Sequence, residues 1–301
     1  MRLALQLSTY HSARFLPSLF DSLSAQTDRY WTLRIRDDGS SESELLEMQR
    51  ILAQYAGRFS WTFETGENLG FAGSHQTMFT QGSEELVLLV NHDVVFTPTY
   101  IETLRAYMAS HEKVGAAEGI ILRAELRPDG VIEKTDVIDS LGLFRRRSHW
   151  VIDIGAGKRQ TEYTHIPQNP IFGVSGCLPM YRRSAVGPRV FDPAFVMYKE
   201  DVDVAYRLQR TGWTSAFVPM AVAYHIRGFQ ASLLHRGVSV RFQELSYRNH
   251  WRNLVTHLTL RDWLRDGWAI VPFECAKAAF LAATHPMILV RTFRAMFTKT
   301  I

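Results

Sequence analysis

Glu200, Asp201 and Asp203 crowd the head of one short stretch, "MYKEDVDVAYRLQRTGW", residues 197–213. At 100° per residue Val204, Ala205 and Leu208 form an apolar stripe, and Asp201 falls on it. Glu200, Asp203 and Arg207 fall on another face. Acids in a first helical turn favour the positive end of the helix dipole, and Asp203 is spaced to pair with Arg207 at i, i+4. Asp201 asks for more. A carboxylate among core-facing residues is desolvated at a cost, or it opens onto a cavity where something meets it. That makes it a candidate for proton or cation chemistry.

Two further residues suit a cation. Asp93 closes "LVLLVNHD", so its carboxylate emerges at a strand end, within reach of a divalent ion bound to a diphosphate. His225 closes "VAYH" in the same manner. Taken singly, each is more readily read as a satisfied structural residue.

These groups need a frame. The runs "LALQLST", "WTLRIRD", "FSWTFET" and "ELVLLVN" have strand character and alternate with helical spacing near residues 12–25, 41–56 and 71–81. Such alternation predicts an α/β fold: a mostly parallel sheet, helices on both faces, and ligand sites at the carboxyl ends of the strands. Polar residues gather there, at Ser8–His11, Asp37–Ser41, Asn68–Gly70 and Asn91–Asp93. Neither G-x-G-x-x-G nor G-x-x-x-x-G-K-[ST] follows the first strand, which argues against a simple oxidoreductase or a P-loop phosphotransferase. Between 123 and 170 the pattern weakens into a long excursion or irregular antiparallel strands. "IFGVSGCLPMYRR" then predicts a buried strand, and the spacing is helical from about Leu233 onward.

Of the 301 residues, 46% are hydrophobic and 21% charged, as in an ordinary globular protein. Cys177 and Cys275 match no metal-ligand spacing, so inert thiols in a reduced compartment are expected and zinc is not. The start "MRLALQLSTY" is too short and polar for a signal peptide, and no run of 18 apolar residues occurs, so the expectation is cytoplasmic residence without a membrane span. Residues 226–301 hold nine arginines and two lysines against four acids, net +7, with aromatics interleaved. That suits peripheral contact with anionic lipid at the inner membrane face; a solvated helical face or a homodimer interface is the competing use. No recognised nucleic-acid motif accompanies the charge.

In order, "STYHSARFLPSLFDSLSAQ", "DDGSS", "ENLGFAG", "LLVNHDVVFTP", "FGVSGCLPMYRRSAV", "FDPAFVMYKEDVDVAYRLQRTGW" and "AYHIRG" resemble the inverting GT-A glycosyltransferases of family 2, most of all bacterial rhamnosyltransferases. The resemblance covers about residues 1–230, and its most specific element is the E-D-x-D helix followed by the histidine. It implies a catalytic domain over 1–230, with a nucleotide-binding half (1–122) and an acceptor half (123–230), and a helical extension over 231–301. It implies that Ser8, Tyr10 and Asp38 hold the base and ribose of the donor, with Asn68 and Gly70 shaping that pocket. "NHD" matches the D-x-D element, with Asn91 in place of the first acid. Asp93 and His225 would then bind Mg²⁺ or Mn²⁺ on the diphosphate, with one charged ligand fewer than usual. Arg227 would help to neutralise the leaving group. Asp201 would be the general base, Glu200 would orient it or the acceptor, and Gly176 and Cys177 would lie on the acceptor side. The family's "NLGFAGGN" departs here at Ser74 and His75.

The function so implied is transfer of a sugar, L-rhamnose from dTDP-rhamnose, to a glycan or polyprenyl-diphosphate-linked saccharide in cell-surface polysaccharide synthesis. A UDP-linked galactofuranose, N-acetylglucosamine or glucose donor is the alternative. A nucleotidyltransferase needs a Gly- and Arg-rich loop after the first strand, and "STYHSARF" has no glycine. A degenerate nucleotide-sugar- or lipid-binding module is the remaining reading.

Overall fold

A computed structural model describes residues 1–127, 129–226 and 239–297. The first half alternates as its spacing predicts: β1 (Leu3–Thr9), α1 (Leu16–Ser24), β2 (Trp31–Asp37), α2 (Glu42–Gln54), β3 (Ser60–Thr65), α3 (Gly70–Gln81), β4 (Leu86–Val90), β5 (Val94–Phe96), α4 (Tyr100–Ser110). Then come β6 (Val114–Leu126), β7 (Ile132–Ser140), β8 (Leu143–Arg145), β9 (Val151–Asp153), β10 (Met180–Arg182) and the one-turn α5 (Arg183–Val186). The acidic helix α6 (Glu200–Arg210), β11 (Thr214–Ile226) and three helices, α7 (Val240–His257), α8 (Leu260–Thr284) and α9 (Pro286–Phe297), complete it.

The main sheet runs β3-β2-β1-β4-β10-β6-β11-β5, with β7 paired to β6. β3, β2, β1 and β4 are parallel, as expected. Beyond them the sheet is mixed, because β10 enters antiparallel between β4 and β6, and β5 and β7 pair antiparallel to β11 and β6. The excursion after 123 resolves into β7 and the separate hairpin β8–β9.

Side chains alternate across β4 with period two. Leu86, Leu88 and Val90 join Leu16, Leu19, Phe20, Met48 and Tyr100 of α1, α2 and α4 in one core. Val87 and Leu89 join Ala72, Phe79, Val204 and Leu208 of α3 and α6 in another. Helices therefore cover both faces, and the carboxyl ends of β1, β2, β3 and β4 share one rim. The strand expected over 171–183 forms only at Met180–Arg182; Gly173, Gly176 and Pro179 release the preceding stretch from the ladder, and it bends into the rim.

The helices after residue 239 dock on this core through buried polar ties. His257 Nε2 lies 2.8 Å from Asp203 Oδ1 and Asp266 accepts from Arg147 and His149, while His250 and Glu274, 2.7 Å apart, tie α7 to α8. No helix among the described residues is long and apolar enough to cross a membrane.

Candidate active site

A cleft of ≈ 470 Å³ opens at the rim where β4, β7, β11, the 175–177 turn and the head of α6 meet. Its lining brings together Asn91, Asp93, Gly176, Cys177, Glu200, Asp201 and His225, residues spread over 135 positions of the chain. Asp139, Asp153, Lys199 and Ser246 line it too, and sequence reasoning did not single them out.

α6 delivers the acids differently from the wheel. Glu200 and Asp203 are buried, whereas Asp201 is partly open to the cleft. Asp203 keeps its expected bond to Arg207 Nε (2.8 Å) and adds His257. Asp201 Oδ2 accepts the Gly176 N–H at 3.1 Å, and Oδ1 accepts the Val202 N–H at 2.8 Å; both bonds favour the ionised form. Burial pushes Asp201 above its ordinary value all the same, which strengthens it as a base. Burial, then the Asp201 charge, pushes Glu200 up to about 8.

Behind them Glu118 of β6 is fully buried, and burial pushes its carboxyl well above the ordinary value. It accepts the Ser175 N–H and so supports the turn that carries Gly176. Burial likewise pushes the Cys177 thiol up, leaving an inert sulfur in the wall.

The cation candidates converge across the antiparallel β5–β11 pair. His225 Nε2 lies 3.2 Å from Asp93 Oδ1, and its Nδ1 donates to Asp139 Oδ2 at 2.8 Å. Burial draws the imidazole down, but the Asp93 and Asp139 carboxylates outweigh it and hold His225 well above its ordinary value, so it must give up its Nε2 proton to take a cation. Burial would raise Asp93, and His225 holds it below its ordinary value. Asp93 Oδ1 is buried without an aligned hydrogen bond, and Asp139 fixes the ring so that Nε2 faces it. A carboxylate oxygen and an imidazole nitrogen so arranged fit a Mg²⁺ or Mn²⁺ ion that takes its other ligands from phosphate and water. No cluster of three His, Cys, Asp or Glu ligands occurs among the described residues.

Ser8, Tyr10, Asp38, Asn68 and Gly70 stand at the same rim but outside the cleft lining. Ser8 belongs to β1 itself, and Tyr10 is exposed beyond it. Asp38 is occupied internally: it accepts from Arg36 and Ser74 at 2.6 Å and from the N–H groups of Leu69 and Gly70 at 2.8 Å. It thereby ties the "DDGS" loop to the start of α3. Gly70 has φ +72°, and a Cβ there would lie 2.8 Å from the Val196 carbonyl oxygen, so only glycine lets α3 approach the loop before α6. The departures at Ser74 and His75 turn inward: Ser74 serves Asp38, and His75 is fully buried, packed edge-on to Phe71. Burial lowers His75 to about 3, so it is neutral. Arg227 lies outside the described residues.

The five residues before α6 are bent sharply. Val196, Tyr198 and Lys199 all take positive φ (63°, 68° and 68°), a conformation costing about 1–3 kcal/mol for each non-glycine residue.

The family model described as Glycosyl transferase family 2 matches residues 7–187. The chain belongs to that family. This family 2 chain is 28% identical over 239 residues to the N-acetylglucosaminyl-diphospho-decaprenol L-rhamnosyltransferase of Mycobacterium tuberculosis (strain CDC 1551 / Oshkosh), covering 72% of this chain and 73% of that one. Solved structures share the fold. The mannosyltransferase PcManGT from Pyrobaculum calidifontis, in complex with GDP-Man and Mn²⁺, aligns with TM-score 0.57 and 16% identity over 98% of this chain and 80% of that one. GalNAc-T7 with UDP, GalNAc and Mn²⁺ aligns with TM-score 0.61 and 12% identity; the match covers 84% of this chain and about half, 47%, of that one. S. aureus TarS 1-349 in complex with UDP-GlcNAc gives TM-score 0.56 and 15% identity over 94% and 74% of the two chains. The family 2 chain is thus an α/β protein of the GT-A glycosyltransferase type with a helical C-terminal region.

Proposed function

We propose that this family 2 glycosyltransferase moves L-rhamnose from dTDP-rhamnose, with inversion, onto a polyprenyl-diphosphate-linked N-acetylglucosamine in bacterial cell-surface polysaccharide synthesis. The observation that carries the reading is one cleft in which Asp201, half-open and held by two backbone N–H groups, shares walls with the Asp93–His225 pair. The sugar and acceptor are drawn from the named mycobacterial relative.

In this mechanism Asp201 takes the proton of the acceptor hydroxyl as that oxygen bonds to the anomeric carbon, and the bond from that carbon to the diphosphate breaks on the opposite face. Inversion follows. A divalent cation held by Asp93 and His225 would neutralise charge gathering on the departing diphosphate. Asn91 lies beside Asp93 to bond ribose or cation-bound water. Glu200, beside Asp201 in the cleft wall, orients the base or the acceptor. Ser8, Tyr10, Asn68 and Gly70 line the donor's path, Asp38 braces its loops, Arg227 assists the leaving group, and Gly176 and Cys177 face the acceptor.

A lipid-linked acceptor calls for contact with the cytoplasmic membrane surface. On α8, Leu260, Leu264, Trp268 and Val271 recur at helical spacing, each more than half exposed. An apolar stripe in a strongly basic region suits the headgroup zone of an anionic bilayer.

Melting of the full chain with dTDP-rhamnose, UDP-galactose, UDP-N-acetylglucosamine or GDP-mannose, each with and without Mn²⁺, tests the donor. A ligand at a hundredfold excess over its dissociation constant adds about 2.7 kcal/mol. Stabilisation by dTDP-rhamnose alone, and only with metal, is expected; stabilisation by a UDP-sugar instead moves the assignment to the alternative donor class.

A further inference from the structure

The bend that cocks Asp201 into the cleft is held from outside the catalytic sheet. Asn249 of α7 is fully buried, and its two amide N–H groups are shared among the carbonyls of Phe195 (2.8 Å), Met197 (2.9 Å) and Tyr198 (2.8 Å), one of them bifurcated. Its own oxygen accepts two bonds from the Arg248 guanidinium at 3.1 Å, which fixes which end of the amide faces the bend. One turn on, Asn253 donates to the Lys199 carbonyl at 2.9 Å. Carbonyls of four of the five residues before Glu200 are thus gripped by two asparagines, and Val196, the fifth, offers its own to the Ala72 N–H of α3 at 2.9 Å.

A backbone with three non-glycine residues at positive φ persists only where its surroundings over-determine it. The cost is greatest at Val196, which is β-branched. Asn249 and Asn253 supply the determination. They touch neither the cleft nor the reacting groups, yet they set the direction in which α6 leaves the bend, and Asp201 is its second residue.

We propose that Asn249 is the positioning residue for the base, and that α7 belongs to the reaction machinery rather than to a separate appendage. This rests on Asp201 being the base. The clamp also joins the two substrate sides: the bend it grips packs on Gly70 and bonds Ala72, where "NLGFAG" begins α3, so donor-side and base-side geometry share one support.

The test uses the full chain, with dTDP-rhamnose and polyprenyl-diphosphate-linked N-acetylglucosamine, and three variants: Asn249→Ala, Asn253→Ala as the milder lesion, and Asn249→Ala combined with Val196→Gly. Misplacing a reacting group by an ångström costs about a hundredfold. Asn249→Ala is expected to lower kcat by about that factor, leave the donor KM within twofold, and speed amide exchange over residues 195–203 while β1 and β4 stay protected. Glycine adopts positive φ without strain, so Val196→Gly is expected to restore at least a tenth of the loss in the double variant; a generic packing defect gives no such rescue. A kcat within twofold of wild type, or no rescue by Val196→Gly, overturns the proposal. If Asn249→Ala does not fold, Asn253→Ala with and without Val196→Gly decides by the same readings. If the wild type transfers nothing, the functional reading fails and exchange alone decides the clamp: selective acceleration over 195–203 upholds it, and uniform or unchanged exchange removes it.

Discussion

Gly176 donates its N–H to Asp201 Oδ2 at 3.1 Å, so the 175–177 turn and the proposed base are joined by a bond that does not require Asp201 to be charged. Asparagine at 201 keeps an oxygen for that N–H, gives up the second acceptor that the Val202 N–H uses, and loses the ability to take a proton. Asp201→Asn is expected to bind the donor as wild type does, by calorimetry, and to lower the single-turnover transfer rate by about 10²- to 10⁴-fold. Unchanged transfer removes the base assignment.

Asp139 holds His225 from behind, and a carboxylate that orients a ligating histidine typically accounts for about 10- to 100-fold in metal affinity. Asp139→Asn is expected to weaken Mn²⁺ binding in the presence of dTDP by about that factor, read by electron paramagnetic resonance of free Mn²⁺. An unaltered dissociation constant shows that the ring needs no such support.

The Glu200 carboxyl titrates at about 8 when folded, against 4.5 for its ordinary value. Between those two pH values the folded chain binds the extra proton, so this group lowers stability as pH rises from about 4.5 to about 8 and adds nothing further above that. Urea titrations across this window should show Glu200→Gln with a flatter pH dependence than wild type. Parallel curves for the two proteins count against a protonated Glu200.

Asp203 is buried between Arg207 and His257. Deleting one member of a buried ionic group typically costs about 3–5 kcal/mol, because the rest stay desolvated and unpaired. Asp203→Ala should show a loss of that order in urea, while Arg210→Ala at the exposed end of the same helix should lie within about 0.5 kcal/mol of wild type.

Leu264 and Trp268 stand on the exposed face of α8. Replacing both with glutamate should leave the melting midpoint nearly unchanged and abolish co-sedimentation with phosphatidylglycerol vesicles. If the variant sediments like wild type but a wild-type dimer dissociates, the stripe is a subunit interface instead.

The alternating frame was legible because α1 to α3 each bury one regular face and the strands between them are short apolar runs, buried on both faces in β1 and β4. The acidic helix was legible as a helix, yet its wheel misplaced Glu200 and Asp203. A wheel assumes one core, whereas α6 is covered on a second side by α7, which arrives some fifty residues later. Asp139 escaped notice because its significance is a contact with His225, 86 positions away, within a stretch whose pattern is irregular. The strand expected at 171–183 failed where Gly173, Gly176 and Pro179 interrupt it, and that interruption is what places Gly176 beside Asp201. Asn249 left no trace in hydrophobic periodicity, since its partners are carbonyl groups, which every residue type presents alike.

The bond between Asp203 and His257 spans 54 residues. At about 5–20 residues per second of synthesis, the acid emerges about 3–11 s before its histidine, and Asn249 comes only shortly before that histidine. During that interval β1 to β4 are already made, while residues 195–199 lack the two asparagines that grip their carbonyls. The nascent chain thus completes the frame of its sheet early and the support of α6 late, a built-in order that leaves the cleft unfinished until α7 is made.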